Sequence, residues 1–206
     1  MKVHSNGQLQ LNAPFNASIE TIEGFILAKY NWVLKNQRAR PEQPQLPTYQ
    51  NGEKHLYLGI QYPLQLITSG LSIVKHENSF LNVYHRKNSS IKNLIKRWYK
   101  QQALIYFKQR TELFINSYHF PTVKEIKVRY MKSRWGSCSS NAVITYNIHL
   151  LKADPEYIDY VVLHELCHLI HPNHSKNFYR LQSQLDPNWK QKKINLNKQG
   201  YLIING

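Results

Sequence analysis

Residues 161 to 179 read VVLHELCHLIHPNHSKNFY, with histidines at 164, 168, 171 and 174 and a glutamate, Glu165, beside the first. His164, Glu165 and His168 form the pattern HExxH. On a helix, positions i and i+4 share one face about a turn apart, so two imidazoles there reach a single Zn2+ ion. Glu165, next to them, is placed to take a proton from water. Imidazole ligands with an adjacent carboxylate are the groups that metal-assisted hydrolysis needs.

A catalytic zinc takes three protein ligands and keeps one open position. Beyond Glu165 the chain has no further glutamate, and Asp186 is its only acid. A downstream glutamate ligand is therefore excluded, which leaves His171, His174 and, less well, Asp186 or an upstream histidine. His171 continues the helical face of His164, but at 1.5 Å per residue it lies roughly 10 Å along the axis, too far to converge with it on one ion. His174 follows Pro172-Asn173, where the chain leaves the helix and can turn back. Its spacing, HExxH-x5-H, is the metzincin ligand spacing, with His171 where that motif has glycine. The expected ligands are His164, His168 and His174, with Glu165 as general base. His171 is left at the rim, as a histidine at a helix C-terminus or as a contact to substrate.

These residues need a helix, a break and a second helix. Asp154 suits an N-cap, Pro155 the first helical position and Glu156 the positive end of the dipole. Pro172 stops this helix, and a short helix is expected from Ser175 to Leu185. Upstream, VKEIKVRYMKSR alternates as a strand, WGSCSSN reads as a turn and AVITYNIHL as the partner strand. A long basic helix is expected over 89–118. KHLYLGI, YPLQLIT, LSIVKH and SFLNVYH read as short strands separated by turn residues. Residues 41–53 hold three prolines and Asn51-Gly52, a loop. Residues 18–38 read as one amphipathic helix capped by Ser18, and residues 1 to about 15 as an edge strand. The fold class is α+β: an N-terminal antiparallel β-rich lobe with one helix over 1–88, and a lobe carrying the histidines over 89–206, read as one continuous unit.

RWGSCSS followed by IDYVVLHELCHLIHPNHSKNFY resembles the YgjP-like zinc metallopeptidase family, which is similar to the SprT-like and WLM zincin proteases. The resemblance covers most of the chain. It implies a zincin-type α+β fold, zinc on His164, His168 and His174, and a catalytic Glu165. Cys167 stands where a small alanine is common and Tyr179 where tryptophan is usual; neither touches the ligand set.

Other groups near these motifs could meet substrate or a developing oxyanion. Arg134 and Trp135 follow a strand at which an extended peptide could pair, although Trp135 also suits a core plug. Tyr179, His171 and Asn173 are chemically able as well, with Asn173 alternatively capping the next helix. Ser137, Ser139 and Ser140 lack a His–Asp partner, which argues against a serine nucleophile.

The 27 basic and 12 acidic residues give a net charge of +15, a surface that attracts polyanions. The two cysteines, Cys138 and Cys167, make no CxxC pair. No signal peptide or membrane-length apolar run is visible, so the expectation is a soluble cytoplasmic protein. The favoured activity is zinc-dependent peptide hydrolysis on a peptide or protein substrate. The alternatives are a metal-dependent nucleotide or phosphoanhydride hydrolase, and a nucleic-acid-associated protease or binding protein using basic residues such as Lys92, Lys96, Arg97 and Lys100. The absence of a P-loop and of a carboxylate cluster weighs against the nucleotide hydrolase.

Overall fold

A computed structural model describes residues 1–3, 9–38 and 46–205. By contact density the chain divides into Met1–Pro44 and Gln45–Gly206, so the strands of 45–88 fall in the same unit as the helices that follow them.

In the first unit, β1 (Lys2–Val3) pairs antiparallel with β2 (Leu9–Gln10). The helix expected over 18–38 is two helices, α1 (Ile19–Ala28) and α2 (Tyr30–Arg38). Ser18 caps α1 by accepting from the Thr21 amide, as its residue type predicts. The break falls at Lys29, whose amide is shared between the carbonyls of Phe25 and Ile26, the three-centre pattern of a helix end. Residues 41–45 of the expected loop, and 4–8 of the expected edge strand, lie outside the described residues.

The second unit begins with β3 (Lys54–Tyr57), β4 (Ile60–Thr68), β5 (Ile73–Glu77) and β6 (Phe80–His85), in the spatial order β3-β4-β6-β5. The sheet is antiparallel except at β4 and β6, which run parallel with Leu64 opposite Leu81 and Leu66 opposite Val83. Leu64, Leu81 and Val83 are buried against α3 (Ile91–Tyr118). That helix starts where Ser90 accepts from the Asn93 amide, and it buries Leu94, Ile95, Trp98, Tyr99, Ala103, Phe107 and Thr111 along one stripe.

A second sheet holds the site. β7 (Glu125–Arg129), β8 (Gly136–Cys138) and β9 (Val143–Asn147) lie in the order β7-β9-β8. Three sequence expectations change here. WGSC is not a turn, because its last three residues form edge strand β8, antiparallel to β9. β7 and β9 do pair, but in parallel, because β9 inserts between β7 and β8. The last part of the expected partner strand is a 3-10 helix, Ile148–Lys152. Asn147 organises the junction. Fully buried, it accepts from the amides of Met131 and His149 and donates to the carbonyls of Met131 and Arg134, which closes the 131–135 loop onto β9.

Three helices complete the unit: α4 (Pro155–Cys167), α5 (Lys176–Leu185) and α6 (Trp189–Asn205). α4 buries nine of its thirteen residues, including Ile158, Val162 and Leu166. A paired ion bridge joins it to α3, with Arg110 reaching both oxygens of Asp159 at 2.7 Å. α6 is absent from the sequence expectation. Its core-facing residues, Trp189, Leu196 and Ile203, recur every seventh position among lysines, asparagines and glutamines.

Candidate metal centre

α4 ends at Cys167, with His168 still in helical conformation as its cap. Backbone bonds from Leu169, Ile170 and His171 back to Leu166 and Cys167 then tighten the chain into a turn before Pro172. Ser175 restarts a helix by accepting from the Phe178 amide, so Ser175, not Asn173, caps α5. Helix, turn and helix fold the sequence back on itself, which brings His174 to the two histidines of α4.

The imidazoles of His164, His168 and His174 each offer a nitrogen, and the three atoms lie within 4.8 Å of one another. Nε2 of His174 is 3.1 Å from Nε2 of His164. Two nitrogens bound at 2.0–2.1 Å to a tetrahedral ion stand about 3.3 Å apart, so this spacing fits a shared zinc. The opposite ring nitrogens of the α4 pair already have acceptors. Nδ1 of His164 lies 3.2 Å from Oε1 of Gln182, and Nδ1 of His168 lies 3.2 Å from the carbonyl of His171. A proton held at Nδ1 leaves Nε2 as the lone-pair nitrogen that a metal needs. Burial pushes the His164 imidazole down to about 4, so it stays neutral at physiological pH.

Phe178 forms the floor. It is fully buried, and its ring centre lies 5.0, 4.6 and 4.8 Å from those of His164, His168 and His174. Gln182 lies one turn further along α5 and is also fully buried. Sequence reasoning missed both. Their signal was an i, i+4 pair on the inner face of a helix that starts directly after the third histidine.

Glu165 is only 4% exposed, and its Oε2 is buried without a hydrogen-bond partner. Burial pushes its carboxyl up to about 8, opposed by the charge of Arg134. A carboxyl whose pKa is raised by burial is, once ionised, a stronger base than one in water. β8 presses directly on it: a Cβ built on Gly136 would lie 2.5 Å from Oε1 of Glu165. Gly136 is therefore what lets the edge strand and the carboxylate pack together. The Cys138 thiol on the same strand is pushed up to about 11, first by burial and then by Glu165, which keeps it a thiol.

The remaining candidates separate. Arg134 is exposed and acts on Glu165 through its charge. Trp135 turns to α6, where its Nε1 donates to Asn197 at 3.4 Å and its ring covers Gly200. Tyr179 stacks between His174, at 5.9 Å, and Trp189, at 5.2 Å. His171 contributes its backbone carbonyl to His168. Asp186 is bound by Lys192 at 3.0 Å and is not a member of the histidine cluster.

The family model for the YgjP-like metallopeptidase domain matches residues 1–199. The chain belongs to the YgjP-like metallopeptidase family. Membership makes a hydrolase of peptide bonds that works with a divalent metal, and hence a peptide or protein substrate, the activity of this chain's family. Among solved structures, the metallopeptidase zymogen of Pyrococcus abyssi abylysin is 21% identical, with a TM-score of 0.41, over 45% of this chain and 93% of that one. The zymogen of Methanocaldococcus jannaschii jannalysin is 19% identical, with the same TM-score, over 45% and 95%. No curated protein matches the chain. Among the described residues, no helix is long and apolar enough to cross a membrane.

Proposed function

We propose that His164, His168 and His174 hold one zinc ion through their Nε2 atoms, and that Glu165 is the general base for hydrolysis of a peptide bond. One observation carries this reading: three imidazoles from a helix and the turn beyond it converge within 4.8 Å, two of them fixed through Nδ1. Three histidines and no carboxylate among the ligands suit zinc over magnesium or calcium.

When bound, zinc lowers the pKa of a water molecule and polarises the scissile carbonyl. Glu165 takes the proton from the attacking water and later delivers it to the departing amine. Arg134 supports the ionised form of Glu165 from the solvent side. β8 pairs only with β9 among the described residues, so its other edge offers backbone groups to an extended peptide. The contact between Gly136 and Glu165 sets that edge directly beside the base.

The test is cleavage of a peptide library by the wild type and by Glu165→Gln. The variant keeps the volume and loses the base, so it should retain zinc and lose activity by about 10^2-fold or more. Activity in the variant close to wild type removes Glu165 from this role.

A further inference from the structure

Alternate residues of β8 turn their backbone groups away from β9. The Trp135 carbonyl accepts from the Asn147 amide at 2.8 Å, and the Ser139 amide donates to the Val143 carbonyl at 3.0 Å, so residues 135, 137 and 139 bond inward. The amides and carbonyls of Gly136 and Cys138 therefore point to the outer edge, where an extended peptide would pair. Gly136 is also the residue pressed against Glu165. A peptide paired along β8 carries its scissile bond past Gly136. At about 3.3 Å per residue, its next one or two side chains lie over the 131–135 loop.

A cavity of about 210 Å³ lies at that place, between the loop and one face of α6. Lys132, Arg134 and Trp135 line it from the loop, and Asn197, Gly200 and Tyr201 from the helix; none of its lining residues is acidic. Both walls are fixed. Buried Asn147 holds the loop through the backbone of Met131 and Arg134. Trp135 joins loop to helix, donating to Asn197 and covering Gly200. Lys193 stands one turn before Asn197 on the same face of α6.

The charge around this part of the centre is of one sign. The charge of Arg134 reaches Glu165, and that of Lys193 reaches His164 and His174, so a cation borders the centre from each wall. Lys132, Arg134 and Lys193 are exposed, whereas Glu165 is buried against β8. Among the described residues none of these three cations forms an ion pair, while the neighbouring Lys192 is held by Asp186. Like charges gathered at a binding edge repel a cationic group and favour an anionic one.

We propose, resting on the peptidase reading of this centre, that the enzyme selects peptides with an Asp or Glu within two residues of the scissile bond, and that Arg134 and Lys193 determine this specificity. The substrate carboxylate enters the mouth of the cavity and accepts from the Arg134 guanidinium, with the Lys193 ammonium as a second charge. A neutral side chain there leaves both cations without an anion, and a lysine adds to their repulsion, so the site discriminates against each.

The test has a cleavage arm and a binding arm. In the first, a peptide that the wild type cleaves, with Glu within two residues of the scissile bond, is compared by kcat/KM with its Gln and Lys versions. The Glu version should be favoured about tenfold over Gln and further over Lys, and the preference should shrink as salt is raised to about 1 M. Arg134→Glu and Lys193→Glu should each bring the Glu-to-Gln ratio to one or below. Because Arg134 also acts on Glu165, the ratio between peptides is read, in which any change in the base cancels. Lys198→Glu, exposed on α6 outside the cavity, should keep the wild-type ratio. In the second arm the same peptides, fluorescently labelled, are titrated with Glu165→Gln and followed by anisotropy; the same order of affinity is expected. A wild-type ratio within twofold of one, equal binding of the Glu and Gln peptides, or a ratio unmoved in Arg134→Glu and Lys193→Glu would each overturn the proposal. A wild type that cleaves no peptide overturns the peptidase reading instead, and the binding order then decides the subsite by itself.

Discussion

Gly136→Ala is the substitution that most sharply separates a positioned base from a merely nearby carboxylate. The added Cβ would lie 2.5 Å from Oε1, 2.8 Å from Cγ and 2.9 Å from Cδ of Glu165, and relaxed contact begins at 3.4 Å. The carboxylate must retreat by about 0.9 Å, and Glu165, 4% exposed, has little free space to enter. A displacement of about 1 Å in a reacting group costs on the order of 10^2-fold in rate, or about 2.7 kcal/mol of barrier. Crowding of this kind also costs about 1–3 kcal/mol of stability. The assay is kcat/KM on a cleaved peptide, together with metal content and a thermal melt. The expected result is a rate lower by about two orders of magnitude, one metal per chain and a modestly lowered Tm. Gly70→Ala, which meets open space, is the control and should change nothing. Activity of Gly136→Ala within twofold of wild type would refute the argument that this contact sets the base.

Two other substitutions probe different parts of the structure. Gln182→Leu removes the acceptor for Nδ1 of His164 but also removes the buried, unpartnered Nε2 of Gln182; stability should change by about 1 kcal/mol or less while metal affinity falls about 10- to 100-fold, read by competition with a chelating dye. Lys152→Met tests the pH dependence of stability. In the wild type the ammonium titrates near 8 when folded and near 10.5 when unfolded, so the unfolded chain holds the extra proton between those values. Wild-type stability should therefore rise from pH 8 to 10.5 by at most about 3 kcal/mol, and denaturant titrations of Lys152→Met should show no such rise.

Much of the candidate site was legible because its signals are local. The i, i+4 spacing of His164 and His168, the turn forced by Pro172 and the helix start at Ser175 each act within a few residues, and together they return His174 to α4, although the cap is Ser175 and not Asn173. The long helix expected over 89–118 is α3, Ile91–Tyr118. What could not be read depends on partners distant in sequence. β8 is three residues long, too short to carry a period-two pattern, and it is a strand only because β9 pairs with it. The parallel pairing of β7 with β9, and of β4 with β6, is decided by which strand inserts between which. α6 hid its apolar stripe among polar residues, with one buried hydrophobic per two turns at Trp189, Leu196 and Ile203. Gly136 read as a turn residue, whereas its role is to leave room for Glu165.

The measurement closest to the central claim is the metal content of purified protein, grown with ample zinc, for the wild type, His174→Ala and His171→Ala. The account predicts one zinc per chain in the wild type and in His171→Ala, whose side chain is outside the cluster, and almost none in His174→Ala. A metal-free wild type, or zinc lost from His171→Ala and kept by His174→Ala, would contradict it.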